Sequence, residues 1–284
     1  MTTKAGTLWL CATPIGNLED MTFRAVRVLQ EADLIAAEDT RNSIRLLNHF
    51  DIHTPMTSYH EYNKYEKGRS LVKKLSEGQN IALITDAGMP GISDPGEELV
   101  RMCHEAGITV TAVPGPCACV TALALSGQES ARFCFEGFLP VDKKERRNRL
   151  EELSGETKTV ILYEAPHRLK KTLGELLEQC GERKLSVCRE LTKRYETIWE
   201  TTLSEACRCY EEQEPKGEYV LVLAGKPLEE VERERQQKYT DLSLEDHVRS
   251  YEAQGMDRKS AMKQTAKDRG ITKREVYQAL IAKE

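Results

Sequence analysis

The segment that most constrains this chain runs Ile81-Ala-Leu-Ile-Thr-Asp86-Ala-Gly88-Met-Pro90-Gly91-Ile-Ser-Asp94-Pro95-Gly96-Glu97-Glu98-Leu99-Val100-Arg101-Met102. Its opening apolar residues read as a buried strand, and its last residues as the first turns of a helix. Between them lie five Gly or Pro residues within nine positions, 88–96. An ordinary strand-to-helix turn needs one such residue. The prolines fix φ, and the glycines let backbone approach a ligand closely. Strand, tight loop and helix is where open α/β sheets bind ligands, and Asp86 stands at the strand end as a hydrogen-bond acceptor.

The pattern around this segment alternates. Strands are expected at 7–12, 34–37, 80–85 and 109–113, and helices at 22–31, 41–49, 64–77 and 97–106, which favours a largely parallel sheet covered by helices. A second unit follows the turn at 113–117. Its expected helices are 118–126, 140–153 and 166–179, and its strands 133–138, 159–163, 185–189, 195–201 and 219–224. Several of these strands follow one another without an intervening helix, which favours a mixed sheet. Composition changes after Gly225. Residues 226–238 are dense in charge and read as a linker or a solvated helix, and three short helices are expected at 243–253, 258–269 and 273–283. Ser243, Asp257 and Thr272 supply their start signals, and Gly255 and Gly270 their ends. The fold class is therefore α/β, two α/β domains with a small C-terminal helical domain. The expected boundaries are 1–114, 115–226, a charged linker at 227–240, and 241–284.

Two further strand-to-helix loops share the sheet edge with the first. Thr13-Pro14-Ile15-Gly16-Asn17 follows strand one but is neither G-x-G-x-x-G nor a Lys-Ser/Thr phosphate loop, which disfavours NAD and ATP. Pro114-Gly115-Pro116-Cys117-Ala118 is the other. Glu38-Asp39-Thr40-Arg41 ends the second strand at the same edge, with Asp39 or Thr40 also suited to cap a helix. The nine cysteines are an odd number, and the chain opens without a signal-peptide pattern, so a disulfide framework is not expected. The C-x-C pairs 117/119 and 207/209 lie too far apart for a zinc motif, and no metal is expected. With 31% charged residues, a net charge of −5 and no apolar run of spanning length, the expectation is a cytoplasmic protein without membrane contact.

Taken together, TPIGNLEDMTFRA, AEDTR, ITDAGMPGISDPG, VPGPCACVTALALSG, YEAPHR and GEYVLVLAG, in this order, closely resemble the tetrapyrrole methylase superfamily over about residues 8–225. Within it the chain is similar to the branch that methylates the ribose 2′-hydroxyl of a cytidine in small-subunit (16S) ribosomal RNA. The resemblance implies S-adenosylmethionine held between two α/β domains, a homodimer, and ribosomal RNA or the 30S subunit as partner. Carried over by position, the cofactor pocket would use Ile15 from the first loop, Thr85, Asp86, Ala87 and Met89 from the second, and Cys117 and Ala118 from the third. Glu164 or Ala165, and Leu191, would line the far wall. Cys117 stands where many relatives carry Ser or Thr, and a thiol is the weaker donor.

S-adenosylmethionine has no phosphate, so small residues and exposed backbone suit it better than a phosphate nest. A ribose hydroxyl is a poor nucleophile, so a base or strong acceptor is expected beside it. Asp39 and Arg41 lead the candidates for the chemistry, followed by His60, with Glu38 in the same set; Arg41 can hold a phosphate. RNA contacts are expected from basic helices. Residues 143–149 hold five cations and one acid, with Lys143, Arg146 and Arg147 on one face. Residues 257–283 hold eight cations against three acids, among them Arg258, Lys259, Lys263, Lys273, Arg274 and Lys283. The competing readings are a relative that methylates a tetrapyrrole or a protein residue, and a non-catalytic RNA-binding assembly protein.

Overall fold

The computed structural model describes residues 4–237, 239 and 242–281; Lys238 and Lys283, placed by the sequence in the linker and the last basic helix, lie outside them. The first half contains β1 (Thr7–Cys11), α1 (Phe23–Glu31), β2 (Leu34–Ala37), α2 (Thr40–His49), β3 (Met56–Ser58), α3 (Lys64–Ser76), β4 (Ile81–Ile84), α4 (Gly96–Glu105) and β5 (Thr109–Val113). The strands form one sheet in the order β3-β2-β4-β1-β5, with every adjacent pair parallel. β4 is buried along its whole length. Ala82 and Ile84 join the core packed under α1 and α2, while Ile81 and Leu83 join Leu71, Leu75, Leu99 and Cys103 under α3 and α4. Covered on both faces, such a strand needs a continuous apolar run rather than alternation.

The second half contains α5 (Ala118–Leu125), β6 (Phe133–Phe138), α6 (Lys143–Ser154), β7 (Thr159–Glu164), α7 (Pro166–Cys180), β8 (Lys184–Arg189), β9 (Thr197–Thr202), α8 (Leu203–Glu212) and β10 (Tyr219–Leu223). The sheet order is β6-β7-β10-β8-β9, with β6 and β7 parallel and the other pairs antiparallel. Val160, Leu162, Leu221 and Leu223 face the core under α6, α7 and α8. Ile161, Tyr163, Val220 and Val222 face the opposite way, toward α5 and toward Ile15 of the first half.

Three local readings change. α6 begins at Lys143 rather than at 140, because Asp142 caps it by accepting from the amides of Lys144 and Glu145 at 2.9 and 3.0 Å. β3, only three residues long, is too short for a periodicity signal. α8 occupies a stretch that the strand-rich reading leaves unassigned; its signal is Thr202, whose hydroxyl accepts from the Glu205 amide.

The C-terminal region is helical: α9 (Leu228–Gln237), α10 (Leu244–Glu252), α11 (Arg258–Arg269) and α12 (Lys273–Ile281). Ser243, Asp257 and Thr272 accept from the amides of Asp246, Ser260 and Glu275 respectively. Gly270 takes the left-handed conformation that ends α11. Val248, Ala261, Ala266 and Val276 form a small core of their own.

Leu99 of α4 is fully buried in the core with Leu71, Leu75 and Cys103. Leu99→Ala is expected to cost about 3 kcal/mol, read as a lower denaturation midpoint.

Candidate active site

A parallel sheet brings the carboxyl ends of all its strands to one edge, so the segments after β1, β2, β4 and β5 leave from the same side. Two of them are joined there. The Thr13 amide donates to the Gly88 carbonyl at 2.9 Å, the Gly88 amide returns a bond to the Thr13 carbonyl at 3.1 Å, and the Thr13 hydroxyl donates to the Thr85 carbonyl at 3.1 Å. Gly88 has φ +84°, a conformation that disfavours a side chain. The rest of the loop is held by Asp94, whose carboxylate accepts from the amides of Gly91, Ile92 and Gly96. Buried Tyr59 donates its hydroxyl to the Pro95 carbonyl at 3.0 Å.

Between this edge and the second sheet lies a cavity of about 570 Å³. Its wall includes Ile15, Thr85, Asp86, Ala87, Met89, Cys117, Ala118, Glu164, Ala165 and Leu191. The sequence reading left several other wall residues unassigned. Tyr163, Glu218 and Tyr219 sit inside quoted motifs (YEAPHR, GEYVLVLAG), and Phe138 ends β6. Five carboxylates line the wall (Glu38, Asp86, Asp94, Glu164 and Glu218), and among the described residues no Lys or Arg does. Three non-glycine residues with positive φ lie on or beside it: Ser93, Glu190 and Thr192. Such backbone persists where surrounding structure over-determines it, commonly at ligand sites.

The candidates for the chemistry separate. Glu38 is on the wall and accepts the Thr85 hydroxyl at 2.5 Å. Asp39 lies off the wall and caps α2, with both oxygens held by Arg41 at 2.7–3.1 Å. The hydrogen bonds from Arg41 push its carboxyl down to about 2, which leaves it a weak base. The Arg41 side chain is 89% exposed, and the Asp39 amide donates to Asp86, which places the pair beside the cavity mouth. His60 lies off the wall in the β3–α3 connection, where its Nε2 is 3.2 Å from Asn63 Nδ2 and its buried Nδ1 has no hydrogen-bond partner among the described residues. Of these four candidates, Glu38 alone lies on the cavity wall.

Cys117 and Cys119 have sulfurs 3.4 Å apart. Hydrogen bonding from Cys119, helped by the amides at the start of α5, pulls the Cys117 thiol down to about 6, while burial and the same contact push Cys119 up. Glu164 is almost fully buried and accepts from the Thr172 hydroxyl and the Ala165 amide.

The basic helices also separate. Lys143 and Arg147 are exposed on α6, but Arg146 is 4% exposed. It points inward, bonded to Glu175 at 2.6 Å and to the Thr172 hydroxyl at 2.7 Å. It therefore braces Glu164 through Thr172 and is no surface contact for RNA. An amphipathic helix buries one stripe, and residue 146 falls on it with Leu150 and Leu153. Arg258, Lys259, Lys263, Lys273 and Arg274 are all exposed on α11 and α12.

A family model for tetrapyrrole (corrin/porphyrin) methylases matches residues 7–207, and the chain belongs to that family. It is a methyltransferase with S-adenosylmethionine as donor. Among named relatives, ribosomal RNA small subunit methyltransferase I of Halalkalibacterium halodurans is 53% identical, over 96% of this chain and 93% of that protein. The protein of the same name from Bacillus subtilis is 47% identical, over 96% and 94%. Solved structures share the fold at low identity. The methyltransferase CobJ matches with TM-score 0.59 and 17% identity, over 78% of this chain and 95% of that one. Diphthine synthase matches with TM-score 0.61 and 12% identity, over 77% and 89%.

Two outcomes are expected. Iodoacetamide should modify Cys117 with a rate that rises through about pH 6, well below an ordinary thiol, and added S-adenosylmethionine should protect it; peptide mapping across pH reads both. Arg146→Ala should cost about 3 kcal/mol in thermal or urea unfolding, because it removes a buried guanidinium together with its bonds to Glu175 and Thr172. The salt dependence of RNA binding should not change.

Proposed function

We propose that this chain methylates the ribose 2′-hydroxyl of a cytidine in small-subunit (16S) ribosomal RNA. The observation that carries the reading is the cavity wall, which combines small residues with five carboxylates and, among the described residues, no cation. That donor set fits a ligand bearing a sulfonium and an ammonium, and it repels a polyphosphate. When bound, S-adenosylmethionine supplies a methyl group on a positively charged sulfur. Ile15, Thr85, Asp86, Ala87, Met89, Cys117, Ala118, Glu164, Ala165 and Leu191 would hold it, with the Thr13–Gly88 pairing keeping the first two loops in place.

The acceptor side falls to Glu38. Its carboxylate is oriented by the Thr85 hydroxyl and, among the described residues, has no ion-pair partner such as Asp39 has in Arg41, so it can accept the proton of a ribose hydroxyl. Much of the rate enhancement in such an in-line displacement comes from alignment, which a rigid wall supplies. Arg41 at the mouth, Lys143 and Arg147 on α6, and exposed Arg258, Lys259, Lys263, Lys273 and Arg274 on α11 and α12 would contact RNA phosphates. The proposal divides the chain as 1–114, 115–226, 227–240 and 241–284. It is supported by α5, which packs on β7 and β10 of the second sheet. A homodimer is supported by the same helix, whose outward side carries Val120 and Leu125, 52% and 44% exposed. A cytoplasmic location is supported by the proposed action on ribosomal RNA; among the described residues no helix is long and apolar enough to cross a membrane.

Methyl transfer from labelled S-adenosylmethionine to 30S subunits and to naked ribosomal RNA, followed by nuclease digestion, tests the reading. Label on the 2′-oxygen of a cytidine is expected; label on a base, or none on RNA, overturns it. Glu38→Gln should lower kcat by about 10²–10³ without changing cofactor affinity.

A further inference from the structure

β6 does not pair evenly with β7. Phe133, Cys134 and Phe135 face Thr159, Val160 and Ile161, and then Gly137 and Phe138 face Leu162 and Tyr163. Glu136 is the extra residue of a β-bulge. A bulge re-aims the side chains that follow it. In a regular strand Phe135 and Phe138, three positions apart, would point to opposite faces. Here both rings meet Tyr163 edge-on, with centroids at 4.9 and 5.6 Å. The bulge is locked from the other sheet. Gly137 is buried with φ +61°, and a β-carbon there would lie 2.8 Å from the Ser93 hydroxyl of the long loop.

Phe138 is thereby turned onto the cavity wall, yet it remains 52% exposed. Leaving an aromatic face open to water forgoes burial energy, and an open aromatic face on a ligand site is a stacking surface. The charge around it selects what can stack. Glu164 and Glu218 of the wall are paired with Arg168 and Lys193, but Glu38, Asp86 and Asp94 have no ion-pair partner among the described residues, so the phosphates of a nucleic acid are disfavoured inside the cavity. Exposed cations lie outside it: Lys143 and Lys144 begin α6 a few residues beyond Phe138 in the chain, and exposed Arg41 is linked to the wall through Asp39 and Asp86. The neutral parts of a nucleotide, base and ribose, are what can enter. An aromatic ring beside cations is also the general arrangement for holding unpaired nucleic acid.

We infer that Phe138 stacks on the base of the acceptor nucleotide, drawn out of its RNA stack, and so presents that nucleotide's ribose hydroxyl to Glu38. The inference rests on the proposed RNA methylation and adds to it the residue that reads the acceptor as an unstacked nucleotide. Phe138 binds and orients; it takes no part in proton transfer.

The test uses the full chain with labelled S-adenosylmethionine and 30S subunits, comparing wild type with Phe138→Ala, Phe138→Leu and Phe138→Trp, and measuring cofactor affinity by calorimetry. Phe138→Ala should lower kcat/KM for the RNA substrate about 10- to 100-fold, the range of one lost base–aromatic stack. Cofactor affinity should stay within twofold. Phe138→Trp should restore most of the loss, and Phe138→Leu, which keeps apolar bulk without a π face, should not. Unchanged kcat/KM in Phe138→Ala, full rescue by Leu, or a parallel loss of cofactor affinity each overturns the inference, the last by assigning the ring to the cofactor's adenine. If wild type itself places no label on RNA, the proposed function falls and this inference with it. If wild type is active and Phe138→Ala matches it, only the inference falls.

Discussion

The site depends on one short piece of backbone pairing. A parallel sheet hydrogen-bonds its strands along their length but does nothing for the loops that leave its carboxyl edge. In this protein Thr13 and Gly88 exchange amide–carbonyl bonds just beyond β1 and β4, and the buried Thr13 hydroxyl ties in the Thr85 carbonyl. The pairing turns two loops into one rigid wall. It sets where Ile15 meets the face of the second sheet that α5 covers and where Thr85 meets Glu38. With Asp94 and Tyr59 anchoring the remainder, a segment rich in glycine holds a single shape.

Charge is sorted on that frame. Carboxylates line the cavity, and exposed cations lie outside it on α2, α6, α11 and α12. A net charge of −5 hides this arrangement, because it sums an acidic interior site with basic outer faces. The sorting suits a reaction in which a small cationic donor sits inside and a polyanionic acceptor stays largely outside. Interactions within the cavity act at short range in a partly desolvated space, whereas rim contacts with phosphate are screened by salt.

Much of the site was legible because it lies in local motifs. The three loops after β1, β4 and β5 are dense in Gly, Pro and Asp, and local conformation alone marks them as special. The first-choice chemistry was less legible. Glu38, Asp39 and Arg41 are adjacent in sequence, and only the start of α2 decides that Asp39 turns to cap the helix and pair with Arg41 while Glu38 faces the cavity. His60 shares the polar character of a site residue but sits in a connection away from the wall. Arg146 was misread for a related reason: its neighbours are surface cations, and its burial is set by α7, whose Thr172 and Glu175 lie far off in sequence. α8 carried a legible capping signal at Thr202 and Glu205, overshadowed by the strands on either side.

The sequence by itself determined the alternation of strands and helices, the capped C-terminal helices, and the motifs that mark the family, because each depends on residues within one turn or one strand of each other. The tertiary structure decided which of those residues share a cavity. The second wall, including Tyr163, Glu218 and Phe138, comes from a sheet whose strands pair across long separations, and Phe138 faces the site only because one extra residue in β6 reverses its side-chain phase. Periodicity assigns a residue to one face or the other; only the partner strand's register reveals where that count is broken.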